Sequence, residues 1–570
     1  MSRFAHTSLI VILALLPAMS FAGDPDLSRA LRLSRDLAER LQAGVPGEMV
    51  DVIIQTDGAA SLPPLRQLAR SRASRLGREL PLVDGLAVTM SLEEIEALAA
   101  NPLVKKITPD RRVLSSLNIT AEAAGAGAAA SMPGRRGSLT GKGIGVAVID
   151  SGIATHEDLA REKIRAYVDL TARSGRISRL AGDPFGHGTH VAGIIAGRPF
   201  TPAGSDESLG GIAPGAHLVS LRVLDETGMG HSSDVIAAIS WVMANRDRYK
   251  IRVINISLGQ SVSEPAELDP LAQAVERAWK AGIVVVASAG NAGLISDGFG
   301  VTGYGTISSP GNDPLVLTVG ALDDGRTVER GDDAVAPFTS KGPSRFDLVV
   351  KPDIVAPGTH LVSLRVASST LDQLMPASRV NANRLGASPP FEPRYMEMSG
   401  SSMATAVVSG AVALMLEAQP RLSPDEVKAR LMTSAVRLDA EAIYSRGAGA
   451  LDLSAALAQT GRPLHAPSPR VSRQDGQVVL TDTGAAWGDP AAWGLTELYG
   501  DAALWQEEIP ETLALFDNPC MTGEGLVWQS GLVWQSGLVW QSGLVWQSGL
   551  VWQSGLVWQS DASRGACLSW

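Results

Sequence analysis

From near residue 143, the sequence contains a series of short, mostly apolar segments that are continuous rather than alternating. They include GVAVID, HLVSLRVL, IRVINISLG and GIVVVASAG. Segments without regular apolar–polar alternation are typical of strands buried on both faces, and such strands form parallel sheets. Helical patterns such as SSDVIAAISWVMANR and DPLAQAVERAWKAG lie between them. This alternation predicts an α/β domain over residues 141–461, with a doubly wound, mostly parallel sheet and helices on both faces.

A smaller unit precedes this domain, over residues 23–118. The segments MVDVIIQT, LPPLRQLARSR, LPLVDGLAVTMS, LEEIEALAANP and VKKITPDRRV read in the order strand, helix, two strands, helix and strand. The order β-α-β-β-α-β predicts a small ferredoxin-like α+β domain. Residues 119–140 are small and polar and have no periodic apolar face, so we expect an exposed linker that a protease could cut.

The first 22 residues have the three parts of a secretory signal peptide. Arg3 precedes the apolar run LIVILALLPAM, and the small residues Ser20 and Ala22 precede a cleavage point after Ala22. The run is short for a membrane span. We therefore expect export to the medium or the periplasm, with no membrane span after signal removal. The net charge of -10 argues against nucleic acid as a partner, because its phosphates require basic surfaces.

The C-terminal part loses the α/β pattern. Residues 462–524 form an extension, residues 525–560 contain six identical copies of GLVWQS, and residues 561–570 form a tail. Identical copies indicate recent duplication, which favours a dispensable disordered segment over a sticky binding surface. Cys520 and Cys567 bracket the repeats and are the only cysteines; in an oxidising compartment they are candidates for one disulfide, and two free thiols are the alternative.

Four polar residues stand where a doubly wound sheet places functional groups. Asp150 ends the strand GVAVID, and Asn291 follows the strand of VVVASAG. His187 opens a helix in FGHGTHVAG, and Ser402 opens the long apolar helix of GSSMATAVVSGAVALMLEA. Each residue alone has an ordinary structural explanation, such as a turn or a helix cap. Because sites in such sheets collect at the carboxyl ends of strands, we expect the four to lie close together.

Together, the four residues meet the requirements of acyl transfer. A serine hydroxyl becomes a nucleophile when a neutral imidazole accepts its proton, and a carboxylate holds that imidazole in the correct tautomer. The developing oxyanion needs fixed donors, for which the Asn291 side chain and the Ser402 backbone N–H are candidates.

A metal site is the alternative explanation for the two histidines of HGTH. The zinc peptidase helix requires histidines four residues apart with a glutamate beside the first. His187 and His190 are three apart, and Gly188 follows the first. We therefore expect His187 to act as a base and His190 to be structural.

The motifs VAVIDSGI, HGTHVAG, SAGN and GSSMA, in this order, resemble those of the subtilisin-like serine peptidases (subtilases). The segments GMGHSSDVIAAI and KPDIVAPG are similar to those of the bacterial AprX-like members. The resemblance implies that Asp150 orients the base His187, that Ser402 is the nucleophile and that Asn291 donates to the oxyanion. It implies a secreted serine endopeptidase that is made as a zymogen and forms an acyl-enzyme on Ser402.

The same resemblance implies two substrate-binding edges and a specificity pocket. Backbone hydrogen bonds along such edges tolerate many side chains, so we expect broad specificity. The small residues of ISSPG, from Ile307 to Gly311, predict a pocket for a large apolar side chain. The residues assigned to the two edges are Ser257, Leu258 and Gly259 on one side and Gly228, Met229 and Gly230 on the other.

The small N-terminal unit resembles the inhibitory propeptide of this family. This resemblance implies self-processing between Val113 and Met132, with the propeptide acting as an intramolecular inhibitor. The chemistry requires no cofactor. The resemblance makes Asp158 a candidate ligand for a structural calcium ion, and a solvated or helix-capping acid is the alternative that we favour. We expect a monomer that acts on proteins or peptides. The alternative function is a catalytically silent peptide-binding protein in which the Trp-rich tail is the working part.

Overall fold

The computed structural model describes residues 32–44, 47–115, 139–171, 182–200, 209–295, 301–327, 330–380, 393–438, 441, 443–460, 466–474 and 477–481. The predicted signal peptide, nearly all of the predicted linker, both cysteines and the GLVWQS repeats lie outside these residues.

The N-terminal unit has the predicted β-α-β-β-α-β order, with one additional helix, α1 (Arg35–Ala43), in front. Its four strands form an antiparallel sheet in the order β2-β3-β1-β4. Alternate residues of the first strand, Val50, Val52 and Ile54, pack in the core of this unit, as strand periodicity requires. The elements are β1 (Met49–Gln55), α2 (Leu62–Arg72), β2 (Arg75–Leu80), β3 (Gly85–Ser91), α3 (Leu92–Ala99) and β4 (Lys106–Pro109).

The second unit is built on an eight-stranded sheet in the order β16-β15-β12-β10-β6-β8-β7, with β17 paired to β15. All of its strand pairs are parallel except β15 with β16. The doubly wound, mostly parallel sheet predicted from the continuous apolar segments is therefore confirmed. Its strands are β6 (Gly145–Asp150), β7 (Ile164–Asp169), β8 (His217–Arg222), β10 (Ile251–Ile256), β12 (Val284–Ser288), β15 (Leu317–Asp323), β16 (Ala334–Val335) and β17 (Ile354–Pro357).

Two pairs of helices cover this sheet. Helix α4 (His187–Ala196) packs against α8 (Ser401–Ala418), and α5 (Ser232–Asn245) packs against α6 (Pro270–Lys280). Helix α8 is long and apolar enough to cross a membrane, but nearly all of it is buried inside the protein. Such a helix is a core element, and it brings its first residues to the edge of the sheet where the candidate site lies.

The two units share a continuous apolar core. Ile53, Leu80, Val83 and Ala87 of the N-terminal unit are buried in the same cluster as the strands of the second unit. The sheet of the N-terminal unit therefore has its own core on one face and the second unit on the other. The remaining elements are β5 (Arg112–Ser115), β9 (Met229–His231), β11 (Leu258–Gly259), β13 (Leu294–Ile295), β14 (Val301–Thr302), β18 (Leu361–Leu364), α7 (Thr370–Leu374), β19 (Tyr395–Met398), α9 (Pro424–Thr433), α10 (Ile443–Arg446), α11 (Leu453–Ala458), β20 (Arg470–Gln474) and β21 (Gln477–Thr481).

Candidate active site

Asp150 and His187 are in direct contact at the edge of the sheet. Asp150 ends β6, and His187 is the first residue of α4. His187 Nδ1 lies 2.7 Å from Asp150 Oδ1, and both side chains are fully buried. A carboxylate accepts, so this contact places the imidazole proton on Nδ1 and leaves Nε2 free to take a proton. Among the described residues, Nε2 has no hydrogen-bond partner.

Close packing of backbone holds these two residues together. A Cβ atom added at Gly188 would lie 2.2 Å from the carbonyl oxygen of Gly152. The start of helix α4 therefore lies directly against the turn that follows Asp150, an approach that only glycine permits. This is the physical reason for a glycine after His187 in the motif HGTH.

Ser402 lies in the first turn of α8, beside the strand β11. Its Oγ donates to the carbonyl oxygen of Ser257 at 3.0 Å, and the Oγ of Ser257 donates to the carbonyl oxygen of Ser402 at 3.1 Å. Asn255 Nδ2 in turn donates to Ser257 Oγ at 2.9 Å. This reciprocal pair fixes the start of α8 against the strand predicted to bind substrate.

The amide of Asn291 has one end fixed and the other end unused. Its Oδ1 accepts a hydrogen bond from the backbone N–H of Ser401 at 2.9 Å, which determines the orientation of the amide. Its Nδ2 is buried and has no hydrogen-bond partner among the described residues. A buried donor without a partner is costly. Beside the N-terminus of a long helix, it is suited to stabilise a negative charge that appears only during a reaction.

Strand β5 of the N-terminal unit lies between the two predicted substrate-binding edges. In this three-stranded antiparallel sheet, β5 pairs with β11 on one side and with β9 on the other. The cleft between the two edges is therefore occupied by the end of the N-terminal unit. The paired positions are Ser115 with Leu258, Leu114 with Gly259 and with Met229, Val113 with Gly230, and the N–H of Ser115 donates to the carbonyl of Gly228 at 3.3 Å.

The segment predicted to line the specificity pocket lies beside one of these edges. Ser309 and Gln260 exchange backbone hydrogen bonds, each of 2.9 Å, so ISSPG pairs antiparallel with the residue that follows β11. A Cβ atom added at Gly259 would lie 2.6 Å from the Oγ of Ser308. The backbone of the edge strand at Gly259 therefore lies directly against the side chain of Ser308.

His190 is placed as a structural residue. It is fully buried, and its Nε2 lies 3.0 Å from the carbonyl oxygen of Met396. A carbonyl only accepts, so Nε2 carries the proton and is not available as a metal ligand. Burial lowers the pKa of His190 to about 3, which keeps the ring neutral.

Asp158, the candidate calcium ligand, is buried and bonded to a tyrosine. Its Oδ2 accepts the hydroxyl proton of Tyr395 at 2.7 Å. Within the described ranges, no three or more His, Cys, Asp or Glu residues are grouped to hold a metal ion.

Asp183 is a buried acid that the sequence analysis missed. It lies four residues before His187 in the stretch GDPFGHGTH and is 3% exposed. Burial raises the pKa of this carboxyl group, although backbone and side-chain donors oppose the effect. Its position just before the helix start was the available signal, but an aspartate there also fits an ordinary turn.

Charged contacts between the two units were not among the features predicted from the sequence. Arg78 Nη1 lies 3.0 Å from Asp234 Oδ1, and Arg111 Nη2 lies 3.1 Å from Glu264 Oε1. Asp110 accepts hydrogen bonds from the N–H and the Oγ of Ser233, at 2.9 Å and 2.6 Å, at the start of α5. Partners so far apart in sequence leave no local pattern.

Comparisons with known proteins agree with this architecture. The subtilase family, peptidase S8, matches residues 141–461. Serine protease AprX of Bacillus subtilis (strain 168) is 38% identical over 355 residues, which cover 61% of this chain and 73% of that protein. Subtilisin Savinase of Lederbergia lenta is 31% identical over 316 residues, which cover 54% of this chain and 89% of that protein.

The fold is similar to that of fervidolysin from Fervidobacterium pennivorans, a keratinolytic enzyme related to subtilisin. The crystal structure of that protein matches with a TM-score of 0.54 and 21% sequence identity. The match covers 73% of this chain and 61% of the fervidolysin chain. At this identity, the match shows the fold alone.

Proposed function

Because the chain belongs to the subtilase family and is a subtilisin-like serine endopeptidase, we propose that it cleaves peptide bonds through an acyl-enzyme formed on Ser402. The observation that carries the proposal is the buried 2.7 Å contact between Asp150 and His187, beside a cleft in which an extended strand lies. The same cleft supports protein or peptide substrates, since an extended backbone gains hydrogen bonds from both edges.

In the proposed reaction, the Ser402 hydroxyl gives up its hydrogen bond to the Ser257 carbonyl. Its Oγ then transfers the proton to His187 Nε2 and attacks the scissile carbonyl carbon. The oxyanion that forms accepts hydrogen bonds from Asn291 Nδ2 and from the Ser402 backbone N–H. Asp150 stabilises the imidazolium through Nδ1. When the peptide C–N bond breaks, the leaving amine takes the proton from Nε2. Water then attacks the acyl carbon while His187 Nε2 takes its proton. The ester bond to Ser402 Oγ breaks, Ser402 Oγ takes the proton back, and the acid product is released.

The protein is made as a zymogen in this proposal. Strand β5 lies where a substrate strand would bind, so it prevents other peptides from entering the cleft. Ser115 pairs with Leu258, directly beside the Ser257 carbonyl that accepts the Ser402 hydroxyl. The processing bond therefore follows Ser115 by a few residues, within the predicted interval from Val113 to Met132. Sequencing of the new N-terminus locates this bond; a start beyond residue 125 would contradict the register argument.

Broad specificity with a preference for large apolar side chains is also part of the proposal. Val113 of the bound strand is fully buried in the main apolar core, which supports apolar recognition along the cleft. Export through residues 1–22, a structural calcium ion at Asp158 and a monomeric state remain predictions.

Replacing Ser402 with alanine tests the proposed function. The expected result is no self-processing, no hydrolysis of casein and no labelling by a fluorophosphonate probe. Ser344→Ala is the matched control, because Ser344 is also fully buried and its Oγ accepts from the backbone N–H of Val349 at 3.0 Å, outside the hydrogen-bond chain that joins Asn255, Ser257 and Ser402. Self-processing by Ser402→Ala would refute the assignment. Activity that a chelator abolishes, without labelling of the wild type, would support a metal enzyme. Peptide binding without hydrolysis would support the silent peptide-binding alternative.

A further inference from the structure

Asp183 accepts four hydrogen bonds inside the protein. Its Oδ1 accepts from Ser151 Oγ at 2.8 Å and from the backbone N–H of Gly186 at 2.7 Å. Its Oδ2 accepts from the backbone N–H and the Oγ of Thr189, at 2.8 Å and 2.7 Å. Isolated buried carboxylates are unfavourable, so a buried one is retained where donors satisfy it.

These four bonds join the two segments that carry the candidate catalytic pair. Ser151 directly follows Asp150, and Gly186 and Thr189 lie on either side of His187. Ser151 Oγ also accepts a hydrogen bond from the backbone N–H of Gly188 at 2.9 Å. The Asp183 carboxylate and the Ser151 hydroxyl thus connect the end of β6, which carries Asp150, to the start of α4, which carries His187.

The Ser151 hydroxyl has one proton and two carboxylates within reach. Its Oγ lies 2.8 Å from Asp183 Oδ1 and 3.2 Å from Asp150 Oδ1. The shorter contact directs the proton to Asp183. Asp150 Oδ1 is then left to accept from the Ser151 backbone N–H and from His187 Nδ1, each at 2.7 Å.

We propose that Asp183 is a positioning residue for catalysis, which holds His187 at the correct distance from Asp150 and keeps the Ser151 proton away from Asp150. This inference rests on the proposed function, because it concerns the geometry of the pair that activates Ser402. Asp183 acts through Ser151 and through the backbone around His187.

An ordinary structural role is the rival explanation. The N-cap residue of α4 is Gly186, which has no side chain to cap the helix, and Asp183 accepts from the N–H of Thr189 in the first turn. If capping were its whole role, its loss would lower the stability of the fold and leave the turnover of the folded enzyme unchanged.

Asp183→Asn in the full-length chain separates the two explanations. The amide keeps the shape of the carboxyl group, but it cannot accept all four hydrogen bonds at once. We expect kcat to fall by about 100-fold, because a displacement of the base on the scale of 1 Å has an effect of this size. We expect KM to stay nearly constant. Self-processing is intramolecular and does not depend on KM, so it should slow by a factor similar to the loss of kcat.

Asp313→Asn is the matched control. Asp313 is 3% exposed, accepts hydrogen bonds from the backbone N–H groups of Leu315 and Val316, and has a pKa that burial raises to about 6. We expect this control to lower the thermal midpoint and to leave kcat unchanged. An equal loss of kcat in Asp183→Asn and Asp313→Asn would overturn the proposal, as would a normal kcat in Asp183→Asn.

Ser151→Ala provides the second variant if Asp183→Asn does not fold. It removes the shared hydroxyl and leaves Asp183 with three donors, and we expect a fall in kcat of about tenfold. Where both single variants fold, the double variant should lose no more than Asp183→Asn alone, because the two residues act in one network. A normal kcat in Ser151→Ala or additive losses would overturn the proposal. Labelling of the wild type by a fluorophosphonate is measured in parallel; absence of labelling refutes the proposed function itself.

Discussion

Arg111 joins the N-terminal unit to the catalytic domain through a buried group of charges. Its guanidinium donates to Glu264 Oε1 and to both oxygens of Asp36, at 3.1 Å in each case. Lys106 Nζ lies 3.4 Å from the other oxygen of Glu264, whose side chain is 4% exposed. Burial raises the pKa of Glu264, and the charge of Arg111 opposes this effect. Arg111→Met would therefore leave a buried carboxylate with Lys106 as its remaining cationic neighbour in this group.

The expected magnitude follows from this geometry. Removal of one partner from a buried ion pair costs about 3–5 kcal/mol, because the other charge stays out of water. Asp36 and Arg111 lie in the same unit, so only the contact with Glu264 is lost when the units separate. Lys106 offsets part of the cost, and we expect about 3 kcal/mol. This free energy corresponds to about a 100-fold increase in the dissociation constant of the cleaved N-terminal unit.

The assay is the delay before activity on a chromogenic peptide, measured after self-processing of the full-length chain. Arg111→Met should shorten this delay and weaken inhibition by the cleaved unit. Arg75→Met is the control, because Arg75 is half-exposed and pairs with Asp51 inside the N-terminal unit. The double variant Arg111→Met with Glu264→Met should recover most of the inhibition, since two apolar side chains can replace a buried pair. An unchanged delay in Arg111→Met, or no recovery in the double variant, would show that the buried pair of Arg111 and Glu264 does not hold the N-terminal unit on the catalytic domain.

Three further outcomes are expected. In a Ser402→Ala background, the free energy of unfolding should rise between pH 7 and 10.5. Burial lowers the pKa of Lys428 from 10.5 to about 7, so in this range the unfolded chain binds more protons than the folded protein. Urea titrations should show that Lys428→Met removes this rise. Asn291→Ala should lower kcat by about 10²–10³ with little change in KM, because it removes an oxyanion donor, and equal kcat in steady-state assays would contradict that role. Asp372→Ala should lower the unfolding free energy by about 3 kcal/mol in urea, because its buried carboxylate holds two arginines; a loss below about 1 kcal/mol would show that these pairs contribute little.

The architecture of the catalytic domain could be predicted because its strands are buried on both faces. Segments such as Gly145–Asp150 and Val284–Ser288 are apolar up to their last residue, and both are fully buried in the sheet. The β-α-β-β-α-β order of the N-terminal unit could be predicted from the distribution of apolar residues along its strands and helices. The carboxyl ends of strands in a parallel sheet and the starts of the helices after them meet at one edge, which explains why the motifs around Asp150 and His187 lie together.

The contacts that depend on tertiary packing could not be predicted. Asp183 resembles a turn residue until the fold brings Ser151 to it across 32 positions of the chain. Arg111 and Glu264 are 153 positions apart, and nothing in the local sequence of either one identifies the other. Local periodicity identifies elements and their faces; it contains no information about which polar side chains meet once those elements pack.

The fold also places residues beyond the matched family region in the core. Ala466 is fully buried with the catalytic domain. The backbone N–H of Ser468 donates to the carbonyl oxygen of Pro314 at 2.7 Å, and its hydroxyl group donates to Asp353. Lys428 donates to the same hydroxyl at 2.7 Å. The start of the predicted C-terminal extension thus packs against the catalytic domain, although its sequence shows no continuation of the α/β pattern.

The most direct test of the central claim is the position of a fluorophosphonate adduct after labelling of the processed enzyme. One adduct is expected, located by peptide mass spectrometry on Ser402, and it should be lost when His187 is replaced with alanine and the N-terminal unit of that variant is removed by added wild-type enzyme. An adduct on another serine, or undiminished labelling of His187→Ala, would contradict the assignment of Ser402 as the nucleophile that His187 activates.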